Sequence, residues 1–350
     1  KRSFDLLLLS LGAVVAIGLR VNAAKVATQY DYETGVAKPS AEESIFNKPI
    51  FLASTYFMGK ALVFPFVMHR LSGFKFDVYT RIFLLVCLGG TGGILEYSSV
   101  VYLPVSIAGM IRVGGLVTFT ALGSAYLTRK SSLDLPMGIS LALVVVGVVI
   151  ASVHHLHAAD FQPSQVLGIM LALASSVADS AEQWVSEDVL QDDTGEDVDV
   201  WVMTGICGVM GLALFVVLLV IAQLLPGNDY GSQENTLMTF QALGDSWVLT
   251  LVLIFVMTMG LVQMLTATAL TKYFGVTTKE SVLAFRICGI WLLAILLHFF
   301  MSDWGFGESV TPTTAAVKVI GGAAIIAGTI AYIHFRRRHD EETGKVDPEV

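Results

Sequence analysis

Ten separate runs of about twenty apolar residues constrain this chain more than any other feature. A helix needs about 20 such residues to cross the hydrocarbon core of a bilayer. The runs fall at roughly 4–28, 47–69, 79–100, 104–127, 135–156, 164–188, 201–225, 247–271, 276–300 and 313–335. In lipid every backbone polar group needs an internal partner, so a spanning chain folds as helices or as a closed barrel. Runs of this length choose helices, and the expected fold is an all-α integral membrane protein. Only 14% of the 350 residues are charged, against about 25% in a soluble domain. Turn-forming or charged segments separate the runs, as at Leu103-Pro104, Asp160 to Pro163 and Pro226 to Glu234. The first run follows Lys1 and Arg2 but outlasts a signal peptide, so it is expected to remain as a helix. Because the chain opens without Met, a short piece is expected to precede it.

Lysines and arginines set the orientation. One side collects Lys1, Arg2, Arg70, Lys75, Arg81, Arg129, Lys130, Lys272, Lys279 and Arg336 to Arg338; the other has Lys38 and Lys48. Both termini are therefore expected in the cytoplasm, although the acidic segment "QDDTGEDVD" falls on that same side. The net charge of −8 comes with no basic patch, which excludes a nucleic-acid partner. Cys87, Cys207 and Cys288 lie in apolar stretches with neither disulfide nor metal spacing. No phosphate loop, nucleophile elbow or Cys/His pair is present, so no enzyme, catalytic residue, cofactor or metal is expected. His154, His155, His157 and Asp160 lack the spacing of a helical zinc motif and read as an interfacial loop.

Ten spans divide into five plus five, and an odd number per half inserts the halves with opposite topology. "GMIRVGGLVTFTAL" in span four and "LAFRICGIWLLAIL" in span nine each place an arginine about a third of the way into an apolar helix. An axis in the membrane plane would relate Arg112 to Arg286, the inverted-repeat plan of secondary transporters. The expected units are a first repeat at 1–157, a connector at 158–163, a second repeat at 164–336 and a cytoplasmic tail at 337–350.

The segments "IFNKPIFLASTYFMGK", "TGGILEY", "MIRVGGLVTFT" and "TKYFGVTTKESVLAFRICGIW" carry a resemblance. With this layout the chain resembles the drug/metabolite transporter superfamily, within it the nucleotide-sugar-transporter-like solute carrier 35 group, subfamily F. Met110, Arg112, Thr271, Lys272, Thr277, Thr278, Arg286 and Trp291 fit the group's pattern. Gly109, Leu283, Lys60 and Glu96 depart from it, beside the expected pocket. The resemblance implies a solute transporter in an endomembrane such as Golgi, ER or a lysosome-like compartment, with a nucleotide sugar as substrate.

An arginine at mid-bilayer costs roughly 2.5–3.5 kcal/mol on insertion scales, so intramembrane ions point first to function. The expected substrate site is Arg112, Arg286 and Lys60 for anionic or polar groups, Glu96 and Asp179 as counter-charges or proton carriers, and Tyr97 and Trp291 for stacking. Arg20 and Lys25 read equally well as snorkelling to the outer interface or as pocket residues. Glu182 reads as the cytoplasmic end of span six. The leading expectation is secondary-active transport of a small organic solute by alternating access. Amines and drug-like cations stay open as substrates, as does a non-transporting scaffold or sensor on the same fold. The bilayer is the expected environment, and a homodimer is left open.

Overall fold

The computed structural model describes residues 2–30, 46–70, 74–126, 133–156, 163–190, 198–301, 308 and 312–342. The Arg129-Lys130 loop, most of the acidic segment, His157, Asp160 and the end of the chain lie outside them, as do the side chains of His154 and His155.

Helix α1 covers Arg2–Gln29. Span two is α2 (Pro49–Ala61) followed by the single turn α3 (Phe64–Val67). Then come α4 (Phe76–Tyr102), α5 (Val105–Tyr126), α6 (Leu135–Leu156), α7 (Pro163–Leu190) and α8 (Val200–Leu224). A short strand β1 (Pro226–Asp229) and helix α9 (Thr236–Asp245) precede α10 (Trp247–Ala284), α11 (Arg286–Met301) and α12 (Pro312–Glu342). Among the described residues, ten helical stretches are long and apolar enough to cross a membrane. The chain is an all-α, multi-pass membrane protein by length and composition.

Local chemistry sets the boundaries. Pro49, Pro163 and Pro312 open their helices, where the missing N–H costs nothing. Asp199, Asn235 and Ser246 cap α8, α9 and α10 by accepting from Trp201, Met238 and Leu249 N–H. Pro65 clashes with the carbonyl four residues back, and the chain answers with three-residue turns such as Val63 N–H to Lys60 O at 3.1 Å. Span two therefore breaks just past Lys60. Gly275, at φ 81° and ψ 163°, kinks the run from Trp247 to Ala284 in a conformation that only glycine adopts readily.

Three expectations need correction. Arg286 does not sit a third of the way into a helix. It opens α11 after a tightened turn in which Phe285 N–H bonds Val282 O at 3.1 Å. The tail expected from 337 continues α12 as far as Glu342. The Pro226 to Glu234 joint is more than a turn, because it folds onto the start of α2.

That contact is specific. Glu234 accepts from Ile50 N–H and Phe51 N–H at 2.8 Å each, taking two of the orphan donors at the head of α2. Lys48 pairs with Asp229, which also accepts from Asn235 N–H. Burial pushes the Glu234 carboxyl up to about 7, against the opposing pull of the two N–H groups and Lys48. A carboxyl raised in the folded state binds its proton more tightly there than in the unfolded chain. Its contribution is present below the unfolded value of 4.5 and is lost as pH rises through about 7. Between pH 5 and 8 the native chain should lose up to about 3 kcal/mol relative to Glu234→Gln. Parallel melting curves for the two proteins across that range would contradict this.

Helices α4 and α7 pack closely, as do α1 and α10, α2 and α8, and α6 and α12. Glycines permit these approaches: a Cβ on Gly147 would lie 2.7 Å from the Gly321 carbonyl, and one on Gly328 would lie 2.8 Å from the Ser140 carbonyl. The α6–α12 pair contributes no residue to the polar centre except Ala151, Thr314, Val317 and Lys318 at one end. Helices α1, α2, α4, α5, α7, α10 and α11 line that centre.

Candidate functional site

Four charged side chains from different helices meet in one network inside the bundle. Arg20 of α1 is 3% exposed and Glu96 of α4 is 4% exposed. Arg20 Nη2 donates to both Glu96 oxygens at 3.0 and 2.9 Å, its Nη1 to the Tyr97 hydroxyl at 2.5 Å, and its Nε to Gln263 Oε1 at 2.7 Å. Arg112 of α5 pairs with the same Glu96. Its Nε and Nη2 reach Asp179 Oδ2 of α7 at 2.8 and 2.6 Å. Two cations and two carboxylates from four helices thus form a neutral tetrad. Charge-assisted, forked contacts of this kind are the strong class of hydrogen bond.

The tetrad needs room, and α4 supplies it. Gly89, Gly92, Gly93 and Glu96 recur at helical spacing on one face. A Cβ on Gly92 would run into Asp179 Oδ1, and one on Gly89 would lie 2.7 Å from Glu182 Oε1. Gly92→Ala should therefore push Asp179 away from Arg112 and cost about 1–3 kcal/mol by overpacking. An unchanged melting temperature for Gly92→Ala would show that the two helices separate freely.

A cavity of about 90 Å³ lies against the tetrad, lined by Arg20, Glu96, Tyr97, Arg112 and Asp179, and further along by Glu182, Gln183, Lys279 and Arg286. Toward the end of the bundle that carries Glu308 is a wider vestibule of about 440 Å³, lined among others by Asn22, Lys25, Glu308 and Lys318. Val21, Val100, Ala108 and Ile290 form an apolar layer between the two spaces, around a void of about 10 Å³ that also touches Arg112 and Arg286. In the vestibule Lys25 Nζ donates to Val100 O at 2.5 Å, while Glu308 accepts from Ser106 N–H at 2.8 Å and from Lys318 at 2.6 Å.

Five of the seven expected site residues line the central cavity: Arg112, Arg286, Glu96, Tyr97 and Asp179. Lys60 is 1% exposed and sits behind two lining aromatics, its ammonium 3.8 Å from the Tyr56 ring centre and 4.6 Å from that of Phe57. Trp291 is half-buried and lines none of the three spaces. Arg20, read as equally suited to the interface, belongs to the tetrad. Glu182, read as the end of span six, lines the cavity. Gln263 was missed altogether. The available signal for Arg20 was Glu96 itself, since a carboxylate in an apolar span requires a counter-charge. Among the described residues no group of His, Cys, Asp and Glu side chains is placed to hold a metal ion.

No family model matches the chain, and no curated protein does. A chain of known structure, described only as "Crystal structure of protein", shares the fold with a TM-score of 0.51 and 16% identity. The match covers 95% of this chain and 99% of that one.

Proposed function

We propose that this protein is a secondary-active transporter of a small organic solute, of the drug/metabolite transporter type, working by alternating access. The observation that carries the reading is the charged cavity enclosed by the apolar spans, with a wider vestibule further along them beyond one apolar layer. Ligand sites at the midplane between two halves are the plan of inverted-repeat transporters. The packing pattern supports two repeats at 1–157 and 164–336, linked by 158–163. Exchanging each span n with n+5 turns the α4–α7 pair (spans three and six) into the α10–α1 pair (spans eight and one), and these are the two most extensive antiparallel pairs beside α6–α12. The same exchange maps spans two and seven, and five and ten, onto each other. On this reading both termini are cytoplasmic, the vestibule opens to the far side of an endomembrane, and the structure stands closed toward the tetrad.

One observation favours the rival reading of a non-transporting scaffold or sensor: the tetrad satisfies its own charges without a ligand. Purified protein in proteoliposomes separates the two. A transporter accumulates at least one solute from a small-metabolite mixture, saturably and above empty vesicles, as read by mass spectrometry. A scaffold accumulates none. Uptake should also fail in Asp179→Asn protein that still folds.

A further inference from the structure

The polar groups of the central cavity divide into two sets. Arg20, Glu96, Arg112 and Asp179 have partners within the tetrad. One turn further along α7, Glu182 also lines the cavity yet makes no hydrogen bond or ion pair among the described residues. Its neighbour Gln183 is 6% exposed, lines the same cavity, and has its Oε1 buried with no partner. Buried polar atoms in native proteins are almost always bonded, and an exception calls for a missing water, ion or ligand. The Glu182 carboxylate and Gln183 Oε1 are both acceptors. The cationic side chains Lys60, Lys279 and Arg112 influence Glu182 electrostatically without pairing with it. Ser186, one turn on, and Thr268 of α10 complete a polar wall, with the Tyr56 ring facing it.

Resting on the transporter reading, we propose that Glu182 and Gln183 form the substrate subsite, and that the substrate is a small solute presenting hydrogen-bond donors, as an ammonium or as hydroxyl groups. The arginines of the tetrad then serve to hold the helices rather than to grip a substrate anion. Gly89 is part of the same design: its missing Cβ leaves the Glu182 carboxyl the space to lean into the cavity. A solute that brings its own carboxylate meets Glu182 as a like charge and leaves Gln183 Oε1 unpaired, which disfavours it twice.

The test uses three probes of matched size on the full chain: glucosamine, glucose and glucuronate. Thermal unfolding in detergent reads binding, and proteoliposome uptake reads transport. Glucosamine or glucose should raise the melting temperature at concentrations where glucuronate does not. Glu182→Gln should weaken glucosamine binding tenfold or more while affecting glucose less, and Gln183→Leu should weaken both. Preference for glucosamine identifies the donor as an ammonium; equal binding of glucose identifies hydroxyls. Preferential stabilisation by glucuronate, binding by no donor-bearing probe, or binding indifferent to both substitutions overturns the subsite. Binding without uptake overturns the transporter reading and leaves the subsite standing. Uptake indifferent to Glu182→Gln does the reverse.

Discussion

Glu96→Ala is expected to be the most damaging single replacement in this protein. Glu96 faces Arg20 through both its oxygens and Arg112 from the other side. Its removal leaves Arg112 with Asp179 and leaves Arg20 buried with only the neutral Tyr97 and Gln263 as partners. Breaking a buried pair from one side costs about 3–5 kcal/mol, because the remaining charge stays desolvated. Here Arg20 loses its carboxylate altogether and Arg112 keeps one of two, so the loss should reach the upper end of that range and appear as a large drop in melting temperature. Adding Arg20→Met to Glu96→Ala removes the orphaned cation, keeps the Arg112–Asp179 pair and should recover part of the loss. A Glu96→Ala protein as stable as the native chain would mean that water reaches the tetrad and screens it.

The second large effect is Arg20→Lys. The charge is retained, yet a lysine is a point donor on a flexible stem and cannot reproduce the planar fork. Arg20 divides its donors among Glu96, Tyr97 and Gln263, which lie on α4 and α10. A lysine ammonium that keeps Glu96 gives up the Gln263 contact and the stacking of the guanidinium on Tyr56 and Tyr97, each 5.5 Å from its centre. Each lost charge-assisted bond costs about 1.5–3 kcal/mol. Since α1 and α10 are held together at this point, under the proposed transport function solute uptake should fall about tenfold or more along with stability, tenfold being about 1.36 kcal/mol of barrier. Full uptake by Arg20→Lys protein would show that charge alone is what this position supplies. Arg20→Leu is the harsher comparison: it strands Glu96 against Arg112 alone.

Nearly all of the helical layout was legible in the linear chain. The bilayer makes each span a local decision, because about twenty apolar residues suffice wherever they occur, and the proline and glycine boundaries at Pro49, Pro163, Gly275 and Pro312 are equally local. Span nine was harder to read, since a tightened turn at Phe285 carries no sequence mark. Helix α9 was missed because ten residues between two spans fall below any membrane signal.

The candidate site was half legible. Arg112, Arg286, Glu96 and Asp179 stood out because a charge in an apolar run is costly wherever it ends up. What no run of residues contains is the partner of each charge. Arg20 meets Glu96 across 76 residues and Arg112 meets Asp179 across 67, and those distances close only when four helices settle around the glycine face of α4. The sequence by itself determined that this chain carries ten runs long and apolar enough to span a membrane and places ions within them, because hydrophobic transfer depends on composition within one helix. Only the tertiary structure decided which ions neutralise one another, and which polar groups, like Glu182 and Gln183, are left facing the cavity, because pairing depends on distances between helices that the chain sets once it is packed.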